Sequence, residues 1–197
     1  MPAASRLPVP SPDARDRLLE TASNLFARRG YQAIGLRDLA SHLGLHPGSL
    51  YHHIESKQGL LFELIESSLT DLLYETRQSL KASRTTNDRL RCFVQAFIAF
   101  SQSHPDRLVL LIREAMNLTD EQALQVEHLK AVYCSLLAEI IMADCNLRGP
   151  ASGPRAQTIA QAVLSLLCGY AHWSNVKVAN EQLVAFVQGI VRSGRTQ

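Results

Sequence analysis

At 197 residues the chain can hold one large domain or two small ones, and with 46% hydrophobic and 19% charged residues it must bury a core. That balance excludes an extended disordered chain, and a net charge of +2 excludes a polybasic coat. The excess charge lies in residues 1–57, which hold seven Lys/Arg against five Asp/Glu and four of the seven His, so an anionic partner is expected there.

Pro2, Pro8, Pro10 and Pro12 crowd a stretch expected to be a mobile arm (1–12), with no apolar core of a signal peptide. Long proline-free intervals then read as helices, and no period-2 strand is found. A first helix spans about Asp13 to Arg29, with Leu18, Ala22, Leu25 and Phe26 at helical spacing and Gly30 ending it. A second spans Leu36–Leu43, with Gly35 as N-cap, Asp38 in the first turn and Gly44 closing it. A short third helix starts at Pro47 and reaches about His53. Ser56 caps a long fourth, with Leu61, Leu64, Ile65, Leu69 and Leu72 on one side. A fifth carries Leu90, Phe93, Phe97 and Phe100 and breaks at His104-Pro105. A sixth is expected to bury Leu108, Val109, Ile112, Ala115 and Met116, leaving Arg113, Glu114 and Asn117 on a solvated face. A seventh starts at Thr119 or Asp120 and carries Leu129, Tyr133, Leu136, Leu137 and Ile140. After a Gly/Pro loop over 145–154, an eighth covers about Arg155–Val178 and a ninth Glu181–Ser193. The fold class is all-α, with a helix-turn-helix unit over 13–58 and a larger helical body over 59–197.

Two short helices joined by Gly44-Leu45-His46 have the length and turn of a helix-turn-helix. The segments Ala22–Tyr31, Leu36–Ala40 and Leu43–Lys57 together resemble the DNA-binding domain of TetR-family (tetracycline-repressor-like) transcriptional regulators. The arrangement of Gly44, Leu50, Tyr51, Ile54 and Lys57 is the specific part of the match, which covers about residues 13–65. The rest resembles the family only in length and its run of helices. The resemblance implies double-stranded operator DNA as partner, a cytoplasmic homodimer, and an unknown small-molecule effector that releases a repressor from a palindromic site. His46, Pro47, Gly48 and Ser49, with His52 a turn on, would face base edges in the major groove. Tyr51 and Lys57 match positions that hold phosphates; Arg37 matches one that reaches a base or phosphate, and His53 is a further candidate. Two departures stand out. Ile34-Gly35 replace the usual hydroxyl cap, and Gln58-Gly59 replace the common acidic residue, which is expected to loosen the first turn of the fourth helix.

The body offers two further sites. Phe97, Phe100, Ser101, His104, Tyr133 and Leu137 combine apolar surface with a few polar groups, as a small-molecule pocket does; a hydrogen-bonded core would use the same residues. On the eighth helix Ala162, Ser165, Gly169 and Trp173 form a small-residue stripe beside the core stripe Ile159, Val163, Leu166, Leu167 and Tyr170. That second stripe, with Val187 of the ninth helix, is expected to meet a second subunit.

No metal site is expected: His52 and His53 are adjacent on a helix, and Gly44 interrupts the His42–His46 pair. The scattered Cys92, Cys134, Cys145 and Cys168 suggest reduced thiols rather than zinc or disulfides. Residues Ala156–Val176 are uncharged but contain Gln157, Thr158, Gln161, Ser165, His172, Ser174 and Asn175, too polar for a membrane helix. No phosphate-binding loop, nucleophile elbow or HExxH is present, so neither catalytic residues nor cofactor are expected. A helical interaction module without regulated DNA binding is the alternative.

Overall fold

A computed structural model describes residues 12–83, 85–145, 151–173 and 180–193. Among these every regular element is helical. The expected arm falls almost wholly outside the described residues, as does the side chain of Trp173.

Helices α1 (Pro12–Arg29), α2 (Leu36–Leu43) and α3 (Pro47–Leu50) form the head. Helix α4 (Lys57–Lys81) leaves it and runs along the body, built from α5 (Thr86–Ser103), α6 (Pro105–Val109), α7 (Asp120–Cys145), α8 (Ser152–Trp173) and α9 (Asn180–Ser193). The helix boundaries follow local chemistry. Gly44 sits at φ 66°, a conformation that costs a Cβ-bearing residue, and the Leu45 amide donates to the Ala40 carbonyl at 2.9 Å to close α2. Ser56 Oγ accepts from the Gly59 amide at 2.9 Å. A Cβ at residue 59 would lie 3.2 Å from that oxygen, so glycine here serves the cap rather than loosening the turn. Thr85 and Asp88 cap α5 reciprocally.

Three expectations need correction. Helix α3 ends at Leu50 rather than His53; beyond it the chain continues in tighter i→i+3 bonds, His52 to Ser49 and His53 to Leu50. α8 begins three residues earlier than read, at Ser152. The sixth helix is not regular: a π-helical stretch over Leu110–Glu114 and a 3-10 turn over Ala115–Asn117 follow α6. The wider turn rotates the following residues, so Met116 is 88% exposed and Glu114, read as solvated, is buried.

One apolar core runs through the molecule. Phe26, Leu39 and Leu50 seal the head, Leu61, Ile65 and Leu72 line α4, and Phe93, Leu137, Val163 and Val187 fill the body. Each fully buried side chain of this size contributes about 1.5–3 kcal/mol. Val187 was expected at a subunit interface; it is fully buried within this chain, because α9 turns its Leu183, Val184, Val187 and Val191 stripe inward and packs mainly on α5.

Candidate nucleic-acid interface

Leu50 and Ile54 are buried beneath the turn that follows α2, and they fix α3 as a platform with its other side in solvent. Pro47 opens that helix with a preset φ and a missing amide that no partner needs. The structure brings Arg37, His46, Pro47, Gly48, Tyr51 and His52 to the surface, with Ser49 and His53 half-buried among them. Tyr51 is 61% exposed. From Leu39 to Ile54 there is no carboxylate, so nothing on this segment repels a phosphate. Gly48 has open space around its Cα, which lets a backbone approach closely.

The missing hydroxyl cap of α2 has a substitute. The Asp38 carboxylate accepts from the Gly35 amide at 2.7 Å, which holds the first turn.

Lys57, like Ser49 and His53, is half-buried. Its ammonium lies 4.0 Å from the Tyr31 ring centroid and 5.9 Å from that of Phe26. Burial lowers its pKa, and the nearby Asp38 charge works the other way. Lys57 therefore presents its charge from a fixed aromatic seat.

Two residues position this surface in ways the sequence did not show: Arg15, which it did not single out, and Gln58, which it marked only as a replaced acid. Arg15 donates to the His53 carbonyl and to Glu63 Oε1 at 2.6 Å, clamping α1 to the α3–α4 turn and to the second turn of α4. Gln58 accepts from the Tyr31 hydroxyl at 2.9 Å and donates to the Asn117 carbonyl at 2.8 Å and Gln122 Oε1 at 3.0 Å. With Gln32 donating to Asn117 Oδ1 at 2.8 Å, it ties the head to the segment after the π-helical stretch. Their signal was weak because each bond joins residues 27–85 apart in sequence.

The body contains a cavity of about 570 Å³ between α4, α5, α7, α8 and the π-helical stretch. Phe97 and Tyr133 line it. Leu137 does not; it is sealed in the core one turn further along α7. Phe100, Ser101 and His104 do not line it either; they follow Phe97 within two turns at the C-terminal end of α5. Phe100 stacks on His104 with centroids 4.9 Å apart, and Ser101 Oγ donates to the Ile98 carbonyl at 2.7 Å. Instead Gln157, Gln161, Leu164 and Cys168 face the cavity from α8, at spacings of four, three and four residues that a third stripe on that helix would have shown. Tyr133 Oη pairs with Thr76 Oγ1 at 3.1 Å, and burial pushes the phenol well above its ordinary pKa.

Ala162 and Ser165 are exposed and Gly169 is half-buried, and Ser165 also borders the rim of the cavity. No group of three or more potential metal ligands occurs among the described residues, and no helix described is long and apolar enough to cross a membrane.

Comparison with known proteins bears on the same two regions. Residues 18–64 match the model of bacterial regulatory proteins of the tetR family, and residues 83–177 match the tetracyclin repressor-like C-terminal domain. The transcriptional activator FasR of Mycolicibacterium smegmatis is 30% identical over 85% of this chain and 75% of its own length. The repressor KstR2 of the same organism is 35% identical over 54% of this chain and 52% of its own. The structure of AibR superposes with a TM-score of 0.74 at 21% identity, covering 91% of this chain and 97% of that one. A head with this turn, on a helical body matched by the second model, makes the chain a DNA-binding transcriptional regulator of the tetR family rather than an enzyme.

Proposed function

We propose that this regulator acts as a homodimeric repressor, released from a palindromic operator when a small apolar or amphipathic molecule enters the Tyr133 cavity. The observation that carries the reading is the shared wall. Leu69 and Leu72 of α4 and Leu111 and Ile112 of the π-helical stretch border the cavity. Both elements also hold the head, α4 by continuity and the following turn through Gln58 and Asn117. An occupant that prefers a wider cavity shifts both supports, and so the spacing of two recognition helices.

Within this reading His46 and Ser49 read bases, Tyr51 and Lys57 hold phosphates, and Arg37, His52 and His53 flank them. The cavity lining is largely apolar, and its one cation, Lys130, is paired with Glu127 at 2.8 Å, which suits a neutral or singly charged effector. AibR, solved with isovaleryl coenzyme A and operator DNA, has the same fold and combines a ligand with DNA in one protein.

The test is operator release. A selected operator is bound by the purified protein, and a metabolite library is screened for ligands that raise the melting temperature and release the DNA. Gln161→Trp, at the exposed mouth of the cavity, should abolish ligand response and leave DNA binding intact. Ligands that act equally on this variant would place the effector site elsewhere.

A further inference from the structure

We propose that the segment from Leu110 to Asn117 is a switch with two registers, the π-helical winding seen here and a plain α-helical one, and that Asn117 holds the first. The two registers follow from the packing alone; that an effector selects between them rests on the reading proposed above.

The sequence of this segment suits the register it does not adopt. Leu108, Val109, Ile112, Ala115 and Met116 are spaced as one apolar stripe of an α-helix. The π-helical winding over Leu110–Glu114 breaks that stripe. Met116 is 88% exposed, Ile112 and Ala115 are half-buried, and Glu114 is only 6% exposed. A large apolar side chain in water and an acid in the interior both count against this winding. Rewinding to an α-helix turns the residues beyond Glu114 by close to one residue's step, about 100°. Glu114 then leaves the interior and Met116 enters it. Single π-helical turns inside α-helices are rare, and they occur frequently at functional sites.

The contacts of Asn117 hold the register against that pull. Its carbonyl accepts from Gln58 at 2.8 Å and its Oδ1 from Gln32 at 2.8 Å. Its Nδ2 donates to Glu114 Oε2 at 2.9 Å, which gives the buried carboxylate a partner. Gln32 lies just beyond α1, and Gln58 stands next to Lys57. Upstream, Arg107 fixes α6 to α4 through Ser67, Ser68 and Asp71. The segment is therefore pinned at both ends, and between the pins Leu111 and Ile112 border the Tyr133 cavity. Both sites bias one two-state element, which is the physical requirement for coupling. A head seated on DNA keeps Asn117 bonded and favours the π-helical register. An occupant that fits Ile112 turned inward favours the α-helical one and draws Asn117 off Gln58 and Gln32.

The experiment uses the full chain and a selected operator, with no effector present, so its outcome is independent of the effector reading. Hydrogen peroxide oxidises exposed methionine to the sulfoxide, and mass spectrometry of the Met116 peptide gives the rate. Asn117→Ala should slow Met116 oxidation and weaken operator binding by a similar factor, about tenfold, because both follow the fraction in the π-helical register. Met116→Lys, at a position already in water, should fold and bind the operator as the parent does. Added to Asn117→Ala, it should restore most of the lost affinity, because the α-helical register would bury the new charge. A merely structural role for Asn117 gives no such rescue. Gln32→Ala removes an exposed bond and should act in the same direction more weakly, which keeps the test open if Asn117→Ala fails to fold. Met116 oxidation at the parental rate in Asn117→Ala and Gln32→Ala, or a double variant that binds no better than Asn117→Ala alone, would overturn the proposal.

Discussion

The ammonium of Lys57 stands 4.0 Å from the centre of the Tyr31 ring, so the cation at the start of α4 is seated by an aromatic residue from the end of α1. Under the proposed reading the pair joins folding to DNA binding. Lys57→Ala should weaken binding to all DNA sequences alike and lower the salt slope by about one. It should also cost about 0.5–1 kcal/mol of stability as the cation–π contact is lost. Tyr31→Leu should cost stability and loosen Lys57 without removing its charge, and so reduce DNA affinity less than Lys57→Ala. Paired urea denaturation and anisotropy titrations check both.

Gln58 makes three hydrogen bonds, and only an amide can make all of them: it accepts from Tyr31 and donates to Asn117 and Gln122. Restoring an acid with Gln58→Glu keeps the acceptor but sets a carboxylate against the Asn117 carbonyl. Gln58→Ala leaves the Tyr31 hydroxyl unpaired. Each should destabilise the fold by about 1–3 kcal/mol, read from chemical denaturation.

Tyr133 gives the body a pH signature. Burial raises its pKa, so the native state holds the neutral phenol. The stability this provides is complete below the ordinary value of 10.0 and is lost as pH rises above it, where the unfolded chain ionises first. Tyr133→Phe should leave Thr76 without its partner, costing about 1–2 kcal/mol at neutral pH, and should flatten the alkaline fall. Thermal melts across neutral and alkaline pH test the sign.

The stripe of exposed Ala162 and Ser165 with half-buried Gly169 makes a separate claim. Nothing lies within 4 Å of a Cβ built on Gly169, so Gly169→Glu should fold as before. It should nevertheless cost several kcal/mol in a dry subunit interface. Light scattering at micromolar concentration should give a dimer for the parent chain and a monomer for the variant.

The head was legible because its signals are local. Gly30, Gly44, Pro47 and Ser56 each mark a boundary through their own backbone preference, and Leu36–Leu43 falls where the sequence puts it. The body was less legible because its sites are tertiary. Phe97, Phe100 and His104 share a spacing along α5, yet Phe97 lines one cavity, Phe100 is sealed in the core and His104 borders another cleft. The π-helical turn has no periodic signature, and it exchanges Met116 for Glu114 in the interior. Val187 shows the same limit: an apolar stripe says that something covers it, and here α5 does.

DNA binding through the exposed turn is the central claim, and Gly48 tests it most directly. A Cβ there meets nothing within 4 Å in the protein and the position is exposed, so Gly48→Leu should melt like the parent. On a selected operator, anisotropy titration should show its binding reduced to the non-specific level. Ser49→Ala and His46→Ala should shift operator preference by about 1–3 kcal/mol per lost base contact. Parental affinity for Gly48→Leu, with Ser49→Ala and His46→Ala reading the same operator unchanged, would contradict the account.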